Sequence, residues 1–470
     1  MHKENKMGVM PIKKLVISMS LPMMISMLVQ ALYNIVDSIF VAQVCEDALT
    51  AVSLSFAAQN MMIGVATGTG VGVNALLSRF LGAKEFGKAN KVASQGVLLA
   101  ILSAFVFMLF GFFGTGIFFE SQVGTESPIY SYGVDYLSIC CIASLGIFGQ
   151  VMMERLAQAT GKTMLSMTMQ LCGAITNIIL DPLLILGIGP FPRMEAKGAA
   201  VATVVGQFVA FGVGILLNLW KNKEIRLHVK DMIPDIKIIG EIYKIGVPSI
   251  IMVGIGSVMN FLFNKILLTF SSTAAAVFGV YFKLQSFIFM PIFGLNNGVI
   301  PIVAFNYGAQ KKKRIMETIK FSAIISFGIM AFGTLIMWLI PEQMLRLFKA
   351  GEDMLSIGVP ALRYISLSFV FAGVCITLGS VFQALGKSYL SMITSFARQM
   401  IVLLPAAYFL AQTGNVNNVW FAFPIAEVMS LTVTLIFFSV VYRKTISRIG
   451  RGEEMQNAEC KIADETVTKI

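Results

Sequence analysis

Two carboxylates stand alone in long apolar runs. Asp181 lies in NIILDPLLIL (177–186) and Asp37 in ALYNIVDSIFVA (31–42). Asn177 precedes Asp181 by four residues and Asn34 precedes Asp37 by three, so on a helix each amide shares a face with its acid. Carboxylate, amide and backbone carbonyl oxygens are hard ligands of the kind a sodium ion accepts, which makes Asp37, Asn177 and Asp181 candidate sodium ligands. A carboxyl shielded from water can equally carry a proton. Pro182 adds to the donor set, because a proline inside a helix frees the carbonyl four residues earlier, here that of residue 178. The chemistry suggested is reversible binding of a monovalent cation or a proton. The structural alternative is an acid bonded to a neighbouring helix.

Other polar residues fall within apolar runs. Glu427 and Arg398 lie deep enough to pair with each other or to meet a substrate, and Asn260, Asn264 and Gln285 are further candidates for substrate contact or gating. Glu154 and Arg155 are adjacent at the end of a run, where an interfacial ion pair is expected. Lys265 and Lys283 sit toward run ends and can snorkel to the interface. The only histidines, His2 and His228, lie outside the runs, which excludes a histidine proton relay. Cys140, Cys141, Cys172 and Cys375 fall within runs, Cys45 in a loop and Cys460 in the tail, with no CxxC pair to suggest a disulfide or zinc framework. GKT (161–163) and GKS (386–388) resemble the end of a phosphate-binding loop, but the glycines such a loop requires are replaced by Leu156 and Val381. No nucleotide site, ATPase subunit or enzyme centre is expected.

The medium around these residues follows from composition. Of 470 residues, 56% are hydrophobic and 13% charged, about half the charge of an ordinary soluble domain. A bilayer core about 30 Å thick needs about 20 apolar residues per helix. Twelve such segments are delimited: 15–42, 49–78, 93–119, 131–153, 164–189, 198–220, 240–268, 273–304, 319–340, 356–385, 389–411 and 418–442. They are too long and too uniformly apolar for barrel strands. An all-α integral membrane protein with twelve transmembrane helices is expected. Of its 36 Lys and Arg, 26 fall in the termini and even-to-odd loops, so the positive-inside rule puts both termini in the cytoplasm of a multi-pass cell-membrane protein. The net charge of +11 is thereby read as topology determinants near anionic lipid and is no sign of nucleic-acid binding. The first apolar run is span-length and lacks a cleavage site, so it reads as a helix and not as a signal peptide.

The chain repeats itself. An offset of 226 aligns Asn34 with Asn260, Gly68 with Gly294, Gly72 with Gly298 and Gly82 with Gly308; an offset of 225 aligns QATGKTMLSM (158–167) with QALGKSYLSM (383–392). The expected organisation is an N-lobe (1–220, spans 1–6), a basic cytoplasmic linker (221–239), a C-lobe (240–445, spans 7–12) and a polar tail (446–470). Six spans per copy make the repeat parallel, about an axis along the membrane normal, a symmetry that suits two bundles rocking around a central site.

Five stretches, PMMISMLVQALYNIVDSIFVA, GTGVGVNALLSRFLGAKEFGKAN, NIILDPLLI, PIFGLNNGVIPIVAFNYGAQKKKR and FARQMIVLLPAAYFL, in this order, resemble the multidrug and toxic compound extrusion (MATE) family up to about residue 445. That resemblance implies two six-helix lobes around a cleft and cation-coupled efflux of organic cations. It also implies an N-lobe cation site of Asp37, Asn177, Asp181 and Thr203. A C-lobe site is not implied: where some members carry acids in helices 7 and 10, this chain has Asn260, Asn264 and Lys265 in span 7 and no acid within span 10. The expected function is antiport of lipophilic cations against sodium ions or protons, by a monomer with no cofactor beyond the coupling ion. The rivals are a flippase for lipid-linked or polyanionic substrates, which would line its cleft with basic residues, and a membrane receptor, which needs neither repeat nor buried acids.

Overall fold

The computed structural model describes residues 4–42, 46–348 and 350–450. His2, Cys45, Lys349, Cys460 and the tail from residue 451 lie outside them. Among the described residues every regular element is helical. Ten helices are long and apolar enough to cross a bilayer, and two bent pairs complete twelve spans. The spans of the first half are 1 (Ile12–Ala42), 2 (Glu46–Gly82), 3 (Phe86–Phe113), 4 (Pro128–Ile142 and Leu145–Ala159), 5 (Thr163–Ile185) and 6 (Ala196–Lys221). Those of the second half are 7 (Ile236–Leu268), 8 (Ser272–Gly308), 9 (Lys312–Leu339), 10 (Glu352–Ser366 and Phe369–Ala384), 11 (Ser388–Ala411) and 12 (Ala422–Lys444).

Spans 4 and 10 were expected to be continuous, and each is broken. Their halves bend by 46° and 47° at equivalent places in the two copies. At the first break the Ser144 hydroxyl donates to the Ala104 carbonyl of span 3 at 2.9 Å; at the second, Ser368 donates back to Ile365 at 2.6 Å. The Ser368 hydroxyl competes with its own helix ladder, a local bond that bends helices, while Ser144 ties the first break to span 3. The repeated GKT and GKS motifs turn out to be the tight turns that follow these spans. Gly161 and Gly386 have φ of +81° and +74°, a conformation glycine adopts without strain.

Both ends of the described chain lie at one end of the bundle, called proximal here. A short helix, Lys6–Val9, is clamped there by Arg314, whose guanidinium donates to the carbonyls of Met7 and Met10 at 3.0 and 2.8 Å. Gly450 lies against Gln310 at the same end. The linker between the halves is docked: Gln95 of span 3 donates to the carbonyls of Asp231 and Ile233 at 2.6 and 2.7 Å, and Lys91 pairs with Asp235 at 2.6 Å. Asp235 then caps span 7, which starts at Ile236, four residues earlier than its expected start.

The halves meet along spans 1, 2, 7 and 8. The seam is built on the repeated glycines. A Cβ on Gly82 would stand 1.9 Å from the Phe305 carbonyl oxygen, and one on Gly308 would stand 1.9 Å from that of Arg79. Gly72 lies under Ile242, Gly68 under Ile250, Gly298 against Ser20 and Gly294 against Met24. Small residues let helix backbones approach closely in a membrane, where the hydrophobic effect gives no drive for association. The seam buries one apolar cluster shared by both halves, including Leu15, Val73, Leu77, Leu295, Val299 and Val303.

Candidate functional site

The predicted N-lobe residues come together where spans 1, 5 and 6 pack. Spans 5 and 6 cross at Gly173 and Gly206, each of which has the other's carbonyl oxygen within 2.9 Å of where a Cβ would be. This crossing brings the next turns into contact. The Asn177 amide lies 3.5 Å from the Thr203 hydroxyl oxygen and donates to Asp181 Oδ1 at 3.2 Å. Span 1 is joined to span 5 by the Gln170 amide, which donates to Gln30 Oε1 at 2.9 Å. The two spans run in the same direction, so two helical turns further on the same faces present Asp37 and Asn177.

Asp181 has no exposed surface and Asn177 only 3%. Asp37 is half-buried. Three oxygens here are buried without a hydrogen-bond donor: Asp37 Oδ1, Asn177 Oδ1 and Asp181 Oδ2. An unmade bond at a buried acceptor costs about 1–3 kcal/mol, more for charged groups. Sixteen side-chain atoms are in this condition among the described residues, and these three are carboxylate and amide oxygens on the packed spans 1 and 5, where a cation or proton would supply what is missing. Asn34, expected beside Asp37, lies exposed on span 1. The donors are carboxylate, amide and hydroxyl oxygens, hard ligands of the kind a monovalent cation accepts.

The C-lobe candidates are scattered. Asn260 and Asn264 approach each other at 3.5 Å on span 7. Gln285 is half-buried on span 8 and bonds to neither. Lys265 and Lys283 are exposed; the Lys265 ammonium rests over the Phe261 ring at 4.9 Å. Arg398 donates to Glu427 Oε1 at 2.5 Å, so the two form the pair that was one of their expected roles.

The expected ion pair of Glu154 with Arg155 is not formed. Successive residues on a helix point about 100° apart and do not face each other. Both side chains are buried and turn to different partners: Gln150 donates to Glu154 at 3.0 Å, while Arg155 donates to Gln158 at 2.9 Å and across the seam to Asn297 at 2.8 Å. Arg155 packs over Gly70, where a Cβ would stand 2.7 Å from its Cγ. It is a bolt between the halves that the sequence reading missed. Gln30 and Gln170 were missed too, although each stands seven residues before a residue that was found, a visible helical spacing.

The family model described as MatE matches residues 22–183 and again residues 248–409. The multidrug export protein MepA of Staphylococcus haemolyticus is 27% identical over 441 residues, covering 93% of this chain and 95% of that protein. MepA of Staphylococcus aureus strain MSSA476 is 27% identical over 445 residues, with 93% and 96% covered. The crystal structure of MATE in complex with MaL6 superposes with a TM-score of 0.88 at 23% identity, over 95% of this chain and 99% of that one.

Proposed function

The chain belongs to the MatE family, and on that premise we propose that it is a cation-coupled antiporter that exports lipophilic organic cations by alternating access. One observation carries the reading: buried oxygens of Asp37, Asn177 and Asp181 converge in the N-lobe with no donor to satisfy them. A sodium ion or proton entering from outside binds there, with Thr203 beside Asn177 completing the shell. The multidrug export function named for the MepA relatives supports drug-like cations as cargo.

Coupling requires that the ion discriminate between two packings of the helices, since a ligand with equal affinity for both shifts nothing. Span 1 is the element that connects ion to seam. Its Ser20 hydroxyl donates to the Leu295 carbonyl of span 8 at 3.2 Å, and Asp37 lies seventeen residues further along, about 25 Å by helix geometry. Ion binding that draws span 1 onto span 5 therefore acts on the seam through this one helix, which carries Pro22 next to the seam. The positive-inside bias makes the proximal end cytoplasmic, so the closed seam corresponds to a state shut toward the cytoplasm. The rocking bodies are residues 1–220 and 240–445, linked by 221–239.

Flipping of polyanionic lipid is less well supported. Lys265 and Lys283 are exposed, Arg398 is paired with Glu427, and Arg155 is bonded to Gln158 and Asn297. The test is ethidium efflux from proteoliposomes under imposed sodium or proton gradients, comparing the wild type with Asp181→Asn. Gradient-driven efflux that the substitution abolishes is the expected result. Efflux of ethidium by neither gradient in the wild type would remove the proposed cargo and turn attention to lipid.

A further inference from the structure

The two copies can be compared position by position, and the polar residues of the C-lobe acquire a meaning from that comparison. At the offset of 226, Asp37, Asn177 and Asp181 correspond to Phe263, Leu403 and Ala407. All three are buried and belong to one hydrophobic cluster. The Phe263 ring lies 4.8 Å from that of Phe278 and 5.0 Å from that of Phe423, centroid to centroid. The C-lobe counterpart of the cation site is thus filled with carbon.

An acid is nonetheless present on the same pair of helices. In the N-lobe Asn177 and Asp181 lie on span 5 and Thr203 on span 6, with Asp37 on span 1; in the C-lobe Arg398 and Glu427 lie on spans 11 and 12. Glu427 Oε1 receives the Arg398 guanidinium, and Oε2 is buried without a partner. The Glu427 side chain is 6% exposed and that of Arg398 33%, so the arginine reaches inward to the acid.

What aims Arg398 is a break in helix type. Residues Ala397–Leu403 form a π-helix within span 11, whereas span 5 is α-helical throughout. A π turn accommodates one extra residue, and the register between the copies gains one residue here: 225 at the start of span 11, and 226 at the ends of the family-matched stretches. In an α-helix residues five apart point about 140° away from each other. Arg398 is the second residue of this π turn, and Leu403, the counterpart of Asn177, is its last.

We propose that Arg398 is a tethered cation of the C-lobe, which fills with a guanidinium the role that an exchangeable ion plays in the N-lobe and so withholds Glu427 from ion exchange. The inference rests on the reading of Asp37, Asn177 and Asp181 as the exchange site. It makes Arg398 a positioning residue that holds spans 11 and 12 together. It also implies a latent ligand site, since shortening Arg398 leaves a buried carboxylate facing a space shaped for a guanidinium ion.

The test uses purified full-length protein. Thermal unfolding in detergent is measured for the wild type, Arg398→Ala and Arg398→Ala/Glu427→Gln, with dilute guanidinium chloride against sodium chloride of equal ionic strength. Guanidinium is expected to raise the unfolding temperature of Arg398→Ala alone, as a ligand of the folded state does. A rise in none of the three, or an equal rise in the double variant, overturns the site. Ethidium efflux from proteoliposomes decides the withholding of Glu427, and it serves if Arg398→Ala does not fold. Arg398→Gln/Glu427→Gln replaces both charges together, a change that is often near neutral, so efflux within about threefold of the wild type and still driven by the same ion is expected. Loss of ion dependence in that variant, while the wild type is coupled and Asp181→Asn is not, would sink the tether and leave the N-lobe reading standing. An uncoupled wild type would sink both.

Discussion

The two lobes share a fold and differ in what fills their distal halves. In the C-lobe a single large apolar cluster runs from Phe263 and Phe278 through Phe369, Leu403 and Trp420. The distal N-lobe is divided among the described residues into two small clusters, one around Val41, Tyr136 and Ala199 and one around Phe119, Leu137 and Cys141. Between the N-lobe helices stand the unsatisfied oxygens of Asp37, Asn177 and Asp181. The same backbone plan therefore yields a packed body and a strained one. On the proposed reading, a site that binds and releases an ion is held short of its stability optimum, as functional sites often are. At the proximal end the lobes are alike, with Gly82 and Gly308 each admitting the other lobe's backbone.

This contrast can be broken from either side. Phe263→Ala empties the centre of the C-lobe cluster and is expected to cost about 3–5 kcal/mol, the usual range for a buried aromatic; a loss below about 1 kcal/mol in chemical or thermal unfolding would show that the C-lobe is not the tighter body. Asp181→Asn has the opposite sign. With the ion withheld at neutral pH it relieves a buried, half-satisfied carboxylate, and a gain of about 1–3 kcal/mol is expected. If Asp181→Asn instead destabilises the ion-free protein, the acid is structural.

Gly82→Ala and Gly308→Ala should behave alike, because they are equivalent. Each forces a methyl against a carbonyl oxygen 1.9 Å away, and overpacking of this kind costs about 1–3 kcal/mol. Cysteine cross-linking between the Arg79 and Tyr307 turns would report the seam opening. Unequal effects would mean that the seam is not symmetric in energy.

The smallest effect lies in the linker. The hydrogen bond from Lys91 holds the Asp235 carboxyl below its ordinary value, helped by the backbone donors of Ile238 and Lys237. A depressed carboxyl contributes stability that is present above its unfolded value and is lost as pH falls through the folded one. Unfolding temperature should therefore decline on acidification below about pH 4 by slightly more in the wild type than in Asp235→Asn. Identical acid profiles would deny the linker this role.

Much of this architecture was legible in the residues. Apolar length gave the twelve spans, because lipid leaves the backbone no alternative to helices here. The i, i+4 spacing of Asn177 and Asp181 located half of the site, and family resemblance supplied Thr203. What was not legible depended on contacts between segments distant in sequence. The breaks in spans 4 and 10 arise where serines bond carbonyls, and an apolar run gives no sign of them. Arg155 was assigned to its sequence neighbour Glu154, yet its partner is Asn297, 142 residues away. The Phe263, Leu403 and Ala407 plug was within reach of the repeat offset, which names those positions directly.

The most direct test of the account follows the ion itself. Isotopic sodium and proton uptake into proteoliposomes would be measured during ethidium exchange, for the wild type, Asp37→Asn/Asp181→Asn and Arg398→Gln/Glu427→Gln. The account predicts substrate-linked uptake of one of these ions in the wild type and in the C-lobe variant, and its disappearance in the N-lobe variant. Uptake that survives neutralisation of both aspartates would contradict it.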